Sequence, residues 1–96
     1  MDEKYIGIEP SIPAAFAAEL QECLVASKQE AAKERGVIVK QTIFIQSADR
    51  TDFYSKREMA ISLVNESCAP HAPPTSYIGQ TPGLGKTVAM EIVVVR

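Results

Sequence analysis

Along residues 11–36 the apolar positions recur at helical spacing. Phe16, Leu20, Cys23, Leu24, Ser27 and Ala31 fall on one stripe, with Glu19, Glu22, Lys28, Lys33 and Glu34 mostly elsewhere. Ser11 is placed to cap the first turn, Pro13 to sit inside it and Gly36 to follow the last. The stretch "SIPAAFAAELQECLVASKQEAAKERG" therefore reads as a long amphipathic helix with one buried face. Ahead of it, "KYIGIEP" sets Ile6 and Ile8 on one side and Tyr5 and Gly7 on the other, a short strand halted by Pro10.

The period then drops to two. In "VIVKQTIFIQ", Val37, Val39, Ile43 and Ile45 share one face, and Ile38, Thr42 and Phe44 share the other with Lys40 and Gln46. β-Branched residues dominate, as a strand prefers. "SADRTD" brings turn and cap chemistry, with Asp49 or Thr51 as the N-cap. Phe53, Arg57, Ala60, Ile61 and Val64 form a second helical stripe, while Tyr54, Met59 and Leu63 lie off it, toward a neighbouring helix or solvent. The prolines of "APHAPP" end that helix, because they permit neither helix nor ladder pairing. Two strands follow, "TSYIGQ" and "KTVAMEIVVV". In the last, Val88, Met90, Ile92 and Val94 make an apolar row opposite Ala89, Glu91, Val93 and Val95.

The order β-α-β-α-β-β predicts an α+β two-layer sandwich with both helices on one face of the sheet. If the first strand–helix–strand unit pairs in parallel, its crossover is right-handed. No internal repeat or linker interrupts residues 1–96, which read as one domain.

Composition narrows the function. The net charge of -2 and the scattered Lys and Arg residues argue against a nucleic-acid partner; the one dense run, "SKRE", carries its own acid. Cys23 and Cys68 make no disulfide framework, which fits a reducing, cytoplasmic setting. The start, "MDEKYIGIEP", is polar and acidic, unlike a signal peptide. No apolar run approaches the roughly 20 residues that span a bilayer. The expectation is a soluble cytoplasmic protein with no membrane partner.

"GLGKT" near the end has the letters of a phosphate-binding loop. That loop needs a glycine five positions before Gly85, where Gln80 stands; Gly79 comes one residue too early. A helix must also follow, to aim its N-terminus at the phosphates, and here a strand pattern follows instead. "TPGLGK" therefore reads as a connector between antiparallel strands, its glycines supplying positive φ.

Taken together, "VIVKQTIFIQSADRTDFYS", "APHAPPTS" and "VAMEIVVV" resemble the Rid family. These are the reactive intermediate deaminases, also known as liver perchloric-acid-soluble or translation-initiation-inhibitor proteins. The likeness lies in an apolar strand after the first helix and "DRTDF" opening the second. A Pro-x-x-Ser stretch then starts a strand, and a Glu sits in the last one. It runs from Pro10 to Val95. The resemblance implies a chorismate-mutase-like fold assembled as a homotrimer, with clefts between subunits that bind small carboxylate or imine metabolites. It also implies hydrolysis of enamines and imines to a keto acid and ammonia, and for some members endoribonuclease activity. The sequence departs from the family at two places. Thr75 stands where an arginine usually clamps the substrate carboxylate, and a hydroxyl cannot replace a guanidinium fork. Most of the hairpin that precedes the first helix-bearing unit in the family is absent.

Glu91, set among Ala89, Val93 and Val95, is the candidate catalytic acid and, by resemblance, the one that orders water in the cleft. Pairing with a lysine or backbone amides is the structural alternative. Thr75, Ser76 and Tyr77 are candidate substrate-binding residues, or simply satisfy a strand edge beside prolines. Cys68 and His71, in "CAPH", lack the further ligands a metal needs and the third group that would orient a catalytic imidazole. Cys23 packs as a small hydrophobe. No cofactor or metal is expected. Val93, Val95, Phe44 and Ile38 would leave an apolar patch on the face away from the helices, which self-association would hide. The leading reading is thus a Rid-like metabolite-binding protein, enzymatic as an imine deaminase if active. A non-catalytic binding or assembly module is the alternative and RNA cleavage the weaker one.

Overall fold

The computed structural model describes residues 2–82 and 85–96. Strand β1 (Glu3–Ile8) is followed by helix α1 (Phe16–Lys33), β2 (Val37–Ile45), α2 (Arg50–Ser67), β3 (Thr75–Gly79) and β4 (Val88–Val95). The strands form a single four-stranded sheet in the order β1-β4-β2-β3. β4 pairs antiparallel with both β1 and β2, whereas β2 and β3 pair in parallel around the α2 crossover. Both helices lie on one face, giving the expected two-layer α+β sandwich.

The α1 stripe meets the sheet as its spacing requires. Phe16, Leu20, Cys23, Leu24 and Ala31 bury against Ile43, Ile45, Val88, Met90, Ile92 and Val94, with Ala60 and Val64 entering from α2. Each large aliphatic side chain so buried stabilises the fold by about 1.5–3 kcal/mol before entropy is counted. Leu63 reaches this core in part, toward α1, while Tyr54 and Met59 are exposed.

The helix begins later than the sequence pattern indicates. Ser11 and Pro13 lie in an irregular segment and Ala15, which offers no side-chain cap, is the N-cap. Acceptors further along the helix replace the missing cap: Glu22 takes the Ser11 N–H at 2.7 Å and Glu19 the Ala14 N–H at 2.8 Å. At the other end, Arg35 N–H donates to Ala32 and Gly36 N–H to Ala31. This is a Schellman closure with Arg35, at φ 53°, in the left-handed position. Gly36 is needed for a different reason. A Cβ there would stand 2.9 Å from the Val95 carbonyl oxygen and would collide with the Val94 side chain.

α2 starts as expected at Asp49, whose carboxylate accepts the Asp52 N–H at 2.8 Å; Asp52 in turn accepts the Ala48 N–H at 2.9 Å. It stops at Ser67, ahead of the prolines.

β2 breaks its own alternation. A bulge between Ile38 and Lys40 makes Val39 an extra residue, so Ile38 pairs with Val94 and Lys40 with Val93. Ile38 therefore packs toward the helices, away from Phe44 and Thr42, and Val37 and Val39 are exposed rather than sharing a face with Ile43 and Ile45. Gln41, only 1% exposed, is the polar residue drawn into the helix-side layer.

The glycine-rich connector is not a hairpin. β3 and β4 run antiparallel but are not neighbours, since β2 lies between them. Gly85 takes φ 73°; Gly83 and Leu84 lie outside the described residues. Thr87 leads straight into β4, so no helix N-terminus is available for phosphate. Among the described residues no helix is long and apolar enough to cross a membrane.

Candidate functional site

The face of the sheet opposite the helices carries Glu91, the candidate acid. Its register sets Gly7 beside Glu91, Glu91 beside Thr42, and Thr42 beside Ser76, one polar row crossing all four strands. Adjacent strands lie about 4.8 Å apart, so neighbours in this row are within side-chain reach. Gly7 has no side chain and leaves Glu91 uncovered toward β1. One row along, Tyr5, Val93 and Lys40 stand side by side; on the other flank are Ala89, Phe44 and Ile78. A cavity of about 210 Å³ opens here, lined by Glu3, Tyr5, Val39, Lys40, Thr42, Glu91 and Val93.

Of the residues singled out from the sequence, Glu91 and Ser76 share this face and Thr75 and Tyr77 do not. The reason is strand parity: residues 75 and 77 point opposite to 76. Thr75 Oγ1 accepts from Gln41 Nε2 at 3.0 Å and donates to the Pro73 carbonyl at 2.8 Å, so its hydroxyl is already engaged. Tyr77 packs against the helix-side core, where burial and then the nearby Cys68 push its phenol above the ordinary range. The same alternation, applied to "TSY" with Glu91 as reference, would have separated the three hydroxyls. Thr42 and Lys40 were on the right face in the sequence pattern but were not read as a site.

Cys68 and His71 border a different space, a cleft of about 500 Å³ on the helix side, with Ser27, Lys28, Ala31 and Gln41. The Lys28 ammonium donates to the Ser67 carbonyl across it. The Cys23 thiol is buried and pushed up to about 12, first by desolvation and then by Glu22 and Glu19, which disfavours the thiolate that a nucleophile needs. Among the described residues no group of three His, Cys, Asp or Glu side chains is placed to hold a metal ion.

Glu19 is the buried acid that the sequence pattern set aside. It is 1% exposed and lies on the stripe itself, a helical step from Phe16 and from Cys23. Oε2 accepts the Ala14 N–H at 2.8 Å; Oε1 accepts the Thr87 N–H at 2.7 Å, the Thr87 hydroxyl at 3.1 Å and the Val88 N–H at 3.2 Å. Burial works against the charge, but these donors together outweigh it and hold the carboxyl below its ordinary range. Glu19 thus ties the entry of α1 to the entry of β4. That strand carries Glu91.

No protein-family model matches the sequence, and no curated protein matches it. Solved structures do match in fold over nearly the whole chain. A member of the YjgF protein family from Neisseria meningitidis superposes with a TM-score of 0.70 at 14% identity, covering 100% of this chain and 96% of that one. Yeast Mmf1 gives 0.77 at 20% identity, covering 100% and 81%. A member of the YjgF/YER057c/UK114 family from Mycobacterium tuberculosis gives 0.74 at 17% identity, covering 95% and 75%. At these identities the likeness establishes the fold: the chain has the chorismate-mutase-like sandwich of YjgF proteins.

Proposed function

We propose that this chain is a Rid-family protein that assembles as a trimer through the uncovered face of its sheet and binds a small carboxylate or imine metabolite there. The observation that carries the reading is the row of Glu91, Thr42 and Ser76 beside a cavity, on the open face of a sandwich shared with YjgF proteins. Self-association is supported by the greasy side chains on and around that face. Tyr5 is 66% exposed, Val37 68%, Val39 42% and Ile78 42%, and these take the place of the patch expected from the sequence, in which Ile38 turns to the core and Val93 is buried. The two free thiols suit a cytoplasmic setting.

The chemistry is imine hydrolysis. Glu91, as general base, takes a proton from water as its oxygen adds to the carbon of the protonated imine, giving a neutral carbinolamine. The same carboxyl hands that proton to the carbinolamine nitrogen; as the C–N bond breaks and ammonia leaves, the hydroxyl proton passes to the carboxylate and a carbonyl compound remains. Thr42 and Ser76 orient the water. Thr75, engaged by Gln41 and Pro73, stays out of this step, and no guanidinium holds the substrate carboxylate.

Ammonia release from freshly generated 2-iminobutyrate or 2-iminopropionate tests the proposal. Turnover above buffer is expected, falling about 100-fold in Glu91→Gln. Turnover no faster than buffer would leave the non-catalytic binding module as the better reading, which the missing arginine favours.

A further inference from the structure

We propose that the 210 Å³ cavity beside Glu91 takes a small zwitterion, a molecule bearing both a carboxylate and an ammonium group, as an α-amino acid does. The proposal rests on the reading that the open face holds the ligand site. It goes beyond that reading by assigning Lys40 as the cation that receives the carboxylate and Glu91, with Glu3, as the acids that receive the ammonium.

Two opposite charges at this cavity do not meet. Lys40 stands opposite Val93, and Glu91 stands opposite Thr42, so the two are diagonal neighbours on adjacent strands, about 7–8 Å apart at the backbone. Elsewhere in the chain, lysines near acids pair with them: Lys4 with Glu34 at 2.9 Å, Lys56 with Asp52 at 3.1 Å, Lys33 with Glu30 at 3.2 Å. Among the described residues neither Lys40 nor Glu91 forms such a pair, although both line one cavity. Glu3 completes the set from β1, its carboxylate accepting the Tyr5 hydroxyl at 3.3 Å.

The backbone places these groups deliberately. The bulge at Val39 interrupts β2 immediately before Lys40, and bulges of this kind re-aim side chains beside binding sites. One cation and two acids then face a common space: a carboxylate alone would leave both acids unanswered, and an amine alone would leave Lys40 unanswered. A zwitterion answers both. Hydroxyls of Tyr5 and Thr42 border the cavity, and Val39 and Val93 offer an apolar surface to a short side chain. The volume lies below the roughly 300 Å³ at which pockets for drug-sized molecules begin, which limits the ligand to a few heavy atoms.

NMR titration of the assembled protein with L-alanine, propionate and ethylamine tests this, because the last two each carry one of alanine's charges. Alanine is expected to bind about tenfold or more tighter than either. Lys40→Met should abolish its advantage over ethylamine, Glu91→Gln its advantage over propionate, and Lys40→Arg should retain binding. Propionate binding as tightly as alanine overturns the zwitterion and leaves a plain carboxylate site. Absence of binding by all three overturns the zwitterion and the open-face ligand site together. The mass of each variant is measured in parallel: Lys40→Met that loses assembly while alanine binding persists would make Lys40 an interface residue and overturn its assignment.

Discussion

Glu19 joins two loops that are far apart in sequence, and it does so as a carboxylate with four donors around it. Replacing it with alanine strands buried N–H groups, for which a loss of about 3 kcal/mol is expected by chemical denaturation. The pH dependence has a definite sign. A carboxyl held below its unfolded value contributes fully above that value, and the contribution is lost as pH falls through the folded pKa. The stability gap between the wild type and Glu19→Gln should therefore narrow as the solution is acidified; a gap that widened would mean the folded carboxyl is protonated. Gly36→Ala tests a different contact. With a Cβ only 2.9 Å from the Val95 oxygen, overpacking should cost about 2 kcal/mol. Neither residue announces its role by type: glycine after a helix reads as a cap, and a glutamate within a helix reads as solvent-facing. What they touch belongs to β4, more than fifty positions along the chain.

Among the elements, the strands and helices were all visible in the spacing of apolar residues, because periods of two and 3.6 leave different marks. Their ends and faces were less so. The start of α1 moved from Ser11 to Ala15 because Glu19 and Glu22 cap the incoming segment from within the helix, a reversal no local rule detects. The bulge at Val39 turned Ile38 from the open face to the core. A bulge inserts a residue without altering composition, so strict alternation misassigns everything on one side of it. Parity divides Thr75 and Tyr77 from Ser76, and alternation along "TSY" already carries that separation; the neighbourhood of Glu91, Thr42 and Ser76 comes from the pairing register, which periodicity within one strand does not set. The α1 terminus offers a stabilising test. Arg35 occupies the left-handed position at φ 53°, where glycine has no steric penalty, so Arg35→Gly should raise stability by about 1 kcal/mol in denaturant titration. At the other helix, Asp49→Ala should lose about 1 kcal/mol with the cap hydrogen bond.

For the whole molecule, the decisive feature is that only one face of the sheet is covered. The helices bury Ile43, Ile45, Met90 and Ile92, while Tyr5, Val37, Val39 and Ile78 remain at the surface near a polar row and a cavity. A face of this mixture suits a partner that closes over the grease and leaves the polar row facing an enclosed space, where low dielectric would strengthen a carboxylate acting on a bound molecule. Sedimentation equilibrium at micromolar concentration tests that most directly. A mass about three times the 10.4 kDa of the chain is expected, reduced when Val39 and Ile78 are both changed to lysine. A wild-type mass equal to one chain across that range would contradict it, and the proposed site on the open face would lose its enclosure.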